Sequence, residues 1–251
     1  MGPARAKSPI KRPQAKRTVS KSKSRPWSVK RILWKTALWI GAAIVGYLVL
    51  CSMCLLLLRW IDPWFTGVQA QRRVESWFDK RPYQKRRTQV PMARISVHLQ
   101  HAAVASEDAR FYKHHGIDWE TIEKLVEEDF GEGKISRGGS TITQQLVKNL
   151  FATTHRNVGR KALEFALAPI AESVLSKERI LELYLNNIEW GRGVFGAEAA
   201  AHFYYAIPAA QLSKDQSARL AVCIPSPLRR KPSRMGEAAG IIVARMQQMG
   251  W

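Results

Sequence analysis

From Pro91 onward, apolar and polar residues recur at a helical period almost without interruption. Segments 94–113, 141–152, 158–185, 196–206 and 213–223 are rich in Ala, Leu, Glu and Gln, which favour helix. Clusters of helix breakers separate them: Gly131-Glu132-Gly133, Gly138-Gly139, Gly191-Arg192-Gly193 and Pro225-Ser226-Pro227. Runs with β alternation are scarce and no repeat of 20–50 residues is evident, so the pattern predicts one all-α domain over 91–251. The preceding stretch, 59–90, holds many Arg and Lys with Pro63 and Pro82 as breakers. It reads as a connector with one short helix around Gln69–Asp79.

A different pattern precedes it. Thr36 to Leu58 runs without a charge and is closed by Arg59. As a helix this stretch is roughly 34 Å long, enough for a hydrocarbon core of about 30 Å. Trp34, Trp39 and Tyr47 lie near one end or inside it, and Trp60 and Trp64 mark the other interface. A basic leader of 35 residues is long for a signal peptide, no small-x-small site follows, and Leu50 and Met53 before the cysteines do not fit a lipoprotein site. The expectation is an uncleaved anchor at 36–58.

Charge sharpens this picture. The chain of 251 residues carries a formal charge of +20, yet residues 1–35 alone hold twelve Lys or Arg and no acid. Within about 20 residues of the span, eight basic residues lie on the N-terminal side and three on the other. The positive-inside rule places 1–35 in the cytoplasm and 59–251 outside. A basic run against a membrane span is topogenic or contacts anionic lipid, so no nucleic-acid partner is expected. Cys51 and Cys54 read as packing inside the span. Cys223 is then the one cysteine beyond it, which leaves no structural disulfide there.

Four constellations carry candidate chemistry. In the first, Glu107-Asp108 precedes Phe111, His114 and Gly116. Helical spacing would put Glu107, Phe111 and His114 on one face. An acid–base site and a surface acid above a core phenylalanine both fit this spacing. In the second, Gly138-Gly139 leads into Ser140, Thr141, Ile142, Thr143, Gln144, Gln145, Lys148 and Asn149. Thr141 and Gln144 match a capping box, and such a helix start offers N–H groups to an anion. Gln144 and Lys148 would share a face; uncharged hydrogen-bonders at this density suit sugar hydroxyls or amides. The third holds Arg156, Arg160, Lys161 and Glu164; taken alone, Arg160 and Glu164 are an i,i+4 surface pair. The fourth runs from Lys177 to Asn186, with Ile180, Leu181 and Tyr184 as a core stripe and Gly191, Gly193 and Gly196 marking a close-approach loop.

In this order and spacing the four blocks resemble the motifs of glycosyltransferase family 51, the peptidoglycan glycosyltransferases, over about Pro91 to Trp251. The resemblance implies a lysozyme-like, all-α lobe with a smaller jaw lobe beside the membrane. It implies polymerisation of lipid II in the inner membrane with inversion at the anomeric carbon, the catalytic domain periplasmic and other cell-wall synthesis proteins nearby. A single such domain behind one span looks like the monofunctional form, with no transpeptidase domain.

By the same resemblance Glu107 is the general base, and Lys148, Arg156 and Arg160 assist the diphosphate leaving group. Glu164 supports it through a divalent ion or by orienting the cations. Asp108, Phe111, His114, Ser140, Thr141, Gln144, Gln145 and Asn149 complete the expected substrate site. Mg²⁺ or Mn²⁺ is implied, without an organic cofactor. His114 and His115 show no matching acidic cluster in the sequence, so no zinc ligand set is expected.

Four residues depart from the family pattern: Pro169, expected to kink or restart the third-block helix, Ile207, Gln216 and Ser226. Two other readings stand beside this one. A lytic enzyme of similar fold would use a protonated glutamate as general acid; a silent membrane scaffold would need none of these groups.

Overall fold

A computed structural model describes Gly2 and residues 29–132, 139–155 and 157–251, with backbone alone for Val29 and 128–132. Most of the basic tail, Gly133, Gly138 and the expected cation Arg156 lie outside the described residues. The chain divides into two compact units, Met1–Ile44 and Val45–Trp251.

In the first unit the described residues are almost entirely the first half of α1 (Val29–Leu57). This helix starts inside the basic tail, ahead of the charge-free stretch, and ends one residue before Leu58. It is the one helix among the described residues long and apolar enough to cross a membrane. Its side chains from Lys30 to Ile44 are exposed, as a membrane span would require.

The second unit is mainly helical. The last turns of α1 belong to it: Cys51, Leu55 and Leu58 are buried in its core. Arg179 clamps the chain as it leaves α1, donating from Nε to the Leu58 carbonyl at 2.8 Å and pairing with Asp62 at 2.8 Å. The connector is well structured. Thr66 caps α2 (Gly67–Phe78), close to the expected short helix, and buries Val68 and Gln69.

After 91 the described helices are α3 (Val97–Glu107), α4 (Trp119–Glu132), α5 (Ile142–Phe151), α6 (Val158–Val174), α7 (Lys177–Asn187), α8 (Ala197–Tyr205), α9 (Lys214–Cys223) and α10 (Gly236–Gln248). Polar caps start most of them: Ser96, Asn157, Ser176 and Ser213 each accept a hydrogen bond from a first-turn N–H. α3 packs against α9 and α10, while α5 is held by α2, α6 and α7.

The structure corrects the expected segments in four places. The helix expected over 94–113 is confined to 97–107, because Asp108 leaves helical geometry at φ −161° and turns its carboxylate toward α5. The stretch 158–185 divides at Leu175–Ser176, where Ser176 caps a new helix. α6 runs unbroken through Pro169, so no new helix starts after Glu164. The loop at Gly116 abuts α6 there: at φ +88°, a Cβ on Gly116 would sit 2.7 Å from the Ala168 carbonyl carbon.

The fourth correction is a small three-stranded sheet. β1 (Arg86–Arg87) runs parallel to β3 (Val194–Phe195), which pairs antiparallel with β2 (Glu189–Gly191). Gly191-Arg192-Gly193 supplies the hairpin, with Gly193 at φ +74°. Strands this short leave little alternation to read. Arg72 of α2 donates from Nε to Glu189 of β2 at 2.7 Å, tying connector to sheet.

Two of the family departures keep their structural work. Gln216 completes a capping box with Ser213, its Oε1 accepting from Ser213 N–H at 2.9 Å, a role Glu would also fill. Ile207 packs against the core.

Candidate active site

The C-terminal end of α3 meets the N-terminal end of α5, and the candidate residues gather at that junction. Glu107 is the last residue of α3. Its Oε2 accepts from Gln145 Nε2 at 2.9 Å and its Oε1 from Ser106 Oγ at 3.2 Å. Loss of solvation pushes the carboxyl above the ordinary glutamate range, outweighing these hydrogen bonds and the charges of Lys148 and Arg230. Such a group is readier to take up a proton than a surface glutamate.

Gln145 is itself held. Tyr184 of α7, fully buried, donates its hydroxyl to Gln145 Oε1 at 2.9 Å. Asn149 Nδ2 donates to the Gln145 carbonyl one turn on, at 2.8 Å. The amide facing Glu107 is therefore Gln145. Gln144 points inward, fully buried, and its Oε1 accepts from Thr141 N–H at 3.1 Å to close the expected capping box.

Asp108 joins the two helices. Its Oδ2 accepts the Ile142 N–H at 2.9 Å, and His114 Nε2 lies 3.0 Å from both carboxylate oxygens. Two expectations change. Glu107, Phe111 and His114 share no helix face, since α3 ends at Glu107; His114 pairs with Asp108, and Phe111 is fully buried. The start of α5 is also less open to an anion than its sequence implied. Ile142 N–H is taken by Asp108 and Gln144 N–H by Thr141 Oγ1. Thr141 Oγ1 in turn donates to the Gly116 carbonyl at 2.6 Å.

One turn beyond Gln144, the Lys148 ammonium makes no hydrogen bond among the described residues. Burial holds its ammonium below the usual lysine range, aided by Arg160 and Lys161 and opposed by Glu164 and Glu107. Lys148 thus feels both glutamates. Glu164 is no surface residue: at 2% exposure it accepts from Arg160 on Oε1 and from Lys161 on Oε2, the latter at 3.1 Å. Lys161 Nζ also donates to Ser140 Oγ at 3.0 Å, bringing the loop before α5 against α6.

His114 does have acidic company. Asp108, His114 and Asp118 are buried, with ligand-type atoms all within 4.8 Å of one another. The sequence hid this because Asp118 arrives through the Gly116 turn. Both carboxylates are already partnered: Asp108 by Ile142 and His114, Asp118 by Thr121 and by Arg110 at 3.2 Å.

Sequence reasoning missed three members of this neighbourhood. Tyr184 read as core, and only its hydroxyl distinguished it from its apolar neighbours. Lys161 stood beside Arg160 without a role. Arg230, anchored by donation to the Val222 carbonyl at 2.7 Å, follows the Pro225 turn, with no motif to mark it.

Among the described residues a mainly helical domain follows one long apolar helix, and it holds a buried carboxylate near a lysine whose ammonium has no hydrogen-bond partner there, an arrangement that suits acid–base chemistry. Residues 72–248 match the family described as Transglycosylase. The biosynthetic peptidoglycan transglycosylase of Dechloromonas aromatica (strain RCB) is 42% identical over 221 residues, 85% of this chain and 95% of that protein. The one from Pseudomonas entomophila (strain L48) is 40% identical over 227 residues, 89% and 93% of the two chains. That of Neisseria meningitidis serogroup C (strain 053442) is 49% identical over 161 residues, 62% and 69%. The chain belongs to the transglycosylase family and is a peptidoglycan glycosyltransferase, polymerising glycan in cell-wall synthesis. Membership sets aside the lytic and scaffold readings.

Proposed function

We propose that the substrate is lipid II, the growing glycan on its undecaprenyl diphosphate being the donor and the 4-hydroxyl of an incoming N-acetylglucosamine the acceptor. A sugar hydroxyl is a poor nucleophile at neutral pH, so a positioned base must take its proton as the bond forms. Glu107 takes it. The acceptor oxygen bonds to the anomeric carbon from the face opposite the leaving group, and the bond to the diphosphate oxygen breaks with its electrons, giving inversion.

The leaving diphosphate needs positive charge more than a proton. Lys148 supplies it, assisted by Arg160 and, on the family resemblance alone, Arg156. Glu164 orients the cationic side by holding Arg160 and Lys161. The observation that carries this reading is the Lys148 ammonium, without a hydrogen-bond partner among the described residues and under the influence of both Glu107 and Glu164. A divalent ion fits Glu164 poorly, since each of its oxygens already accepts from a cation; no step here passes through one.

In this proposal 1–35 is cytoplasmic, 36–58 crosses the inner membrane, 59–90 connects, and 91–251 is periplasmic and catalytic. The charge asymmetry about α1 supports that orientation. The test is the detergent-solubilised protein with labelled lipid II, resolved on a gel. A polymer ladder that disappears in Glu107→Gln is expected. A ladder that persists in the variant removes Glu107 from the role of base.

A further inference from the structure

Tyr184 contributes an oxygen where the surrounding core calls for none. It is fully buried, flanked on α7 by Leu183 and Leu185, and its hydroxyl has one hydrogen-bond partner among the described residues, Gln145 Oε1 at 2.9 Å. The other end of that amide donates to Glu107 at 2.9 Å. An amide can present either end to a neighbour. Turned over, Gln145 would set its carbonyl oxygen against the Glu107 carboxylate and leave the Tyr184 O–H without an acceptor in the core. Both changes cost free energy, since a buried donor without a partner loses its full solvation.

We propose that Tyr184 is a positioning residue for the proton transfer: its hydroxyl fixes the Gln145 amide so that Nε2 meets Glu107 and keeps that carboxylate ionised and aimed. The inference rests on Glu107 being the base. It assigns Gln145 a role on the protein side of the reaction, as the link between a buried phenol and the carboxylate. The charged and titratable groups around Glu107 are Lys148 from α5, Arg230 beyond α9, Tyr184 from α7 and its neighbour Asp108. Among the described residues none of the other three hydrogen-bonds to the Gln145 side chain, so loss of the Tyr184 hydroxyl acts on Glu107 through the amide.

The test compares full-length wild type, Tyr184→Phe, Gln145→Met, the double variant and Glu107→Gln on labelled lipid II across about pH 5 to 9, with melting curves for each. Tyr184→Phe is expected to lower turnover roughly tenfold, the upper scale of one hydrogen bond between neutral groups. Its acid limb should move to higher pH, with the KM for lipid II little changed. In the Gln145→Met background, removing the hydroxyl should have no further effect. A wild-type rate and pH profile in Tyr184→Phe overturns the proposal, as does an equal loss in both backgrounds, which would mark simple packing. If Tyr184→Phe does not fold, the acid limb of Gln145→Met decides: an upward shift supports the lock and an unmoved limb overturns it. A Glu107→Gln protein that still polymerises defeats the underlying base assignment instead, whatever Tyr184→Phe does.

Discussion

Asp108 accepts the first free N–H of α5, from Ile142 at 2.9 Å, one residue after Glu107 ends α3. Together with the Gln145–Glu107 bond, this contact holds the helix that carries the proposed base against the helix that carries Gln145 and Lys148. A carboxylate at a helix N-terminus is also favoured by the helix dipole. His114 completes the joint by approaching both Asp108 oxygens.

Removing that joint should loosen the site before it unfolds the domain. Asp108→Ala leaves the Ile142 N–H and the His114 ring unpartnered, a cost of roughly 1–3 kcal/mol. For a domain of this size that is a fall in Tm of about 2–12 °C. Polymerisation should fall further than stability does, because Glu107 and Lys148 lose their common frame. Calorimetry and lipid II turnover on the same preparation check both; normal turnover at a lowered Tm would mean the joint serves stability alone.

The site should work within a narrowed pH range. Burial raises Glu107 above the usual 4.5 and lowers Lys148 below the usual 10.5. With Glu107 as the proposed base, activity needs the carboxylate ionised, so it falls as pH drops through the raised value. It needs the ammonium charged, so it falls as pH rises through the lowered one. A plot of kcat/KM against pH should therefore be a bell pulled in on both sides. In kcat the alkaline limb should move outward, because a bound diphosphate restores the charge on Lys148. An acid limb at the ordinary glutamate value would exclude Glu107 as the titrating base.

The same burial makes the base a structural cost. A carboxyl whose pKa is raised by folding favours the native state fully below its unfolded value and loses that contribution as pH rises through the native one. At neutral pH the ionised Glu107 weighs against folding, so Glu107→Gln should melt higher than wild type while losing several orders of magnitude in turnover. The difference in Tm should shrink as the pH approaches about 4.5. An unchanged or lower Tm at neutral pH would contradict the desolvation of this carboxylate.

In the proposed reaction Lys148 is the cation the donor most needs, since Arg160 and Lys161 are already engaged by Glu164. Lys148→Ala should weaken donor use and turnover together, read as a rise in KM for lipid II with a fall in kcat. Normal kinetics would sink the proposed part in diphosphate departure.

How much of this was legible follows the range of each signal. The Thr141–Gln144 capping box, the helix at 67–78 and the apolar α1 are local, and the chain announces each within a few residues. The grouping of Glu107 with Gln145, Lys148 and Glu164 came only through family resemblance, because Glu107 meets Gln145 across 38 residues of chain and Glu164 comes from a different helix than either. Helical spacing misled at His114, where Asp108's long-range bond to Ile142 ends α3 early. Tyr184 was unreadable as a site residue: its ring fits the α7 core stripe, and its hydroxyl gains meaning only when Gln145 arrives from α5. Burial turned Arg160–Glu164 from an ordinary surface pair into the organiser of the cationic side.

The turn between the first motif and α4 is the last place where a small change should be felt at the site. Gly116 sits at φ +88°, its carbonyl accepts from Thr141 at 2.6 Å, and a methyl group there would strike the Ala168 backbone beside Pro169. Gly116→Ala meets both backbone strain and a clash that no flexible side chain can relieve. The strain alone costs roughly 1–3 kcal/mol. Relief would require moving this loop away from α6, which carries Glu164, and releasing the Thr141 cap of α5. Gly116→Ala should accordingly lower both Tm and lipid II turnover. Ser173→Ala, on the solvent side of the same helix, should change neither, its hydroxyl bonding among the described residues to the Ile170 carbonyl one turn back. Wild-type melting in Gly116→Ala would show that the loop has room to shift and that α6 does not depend on it.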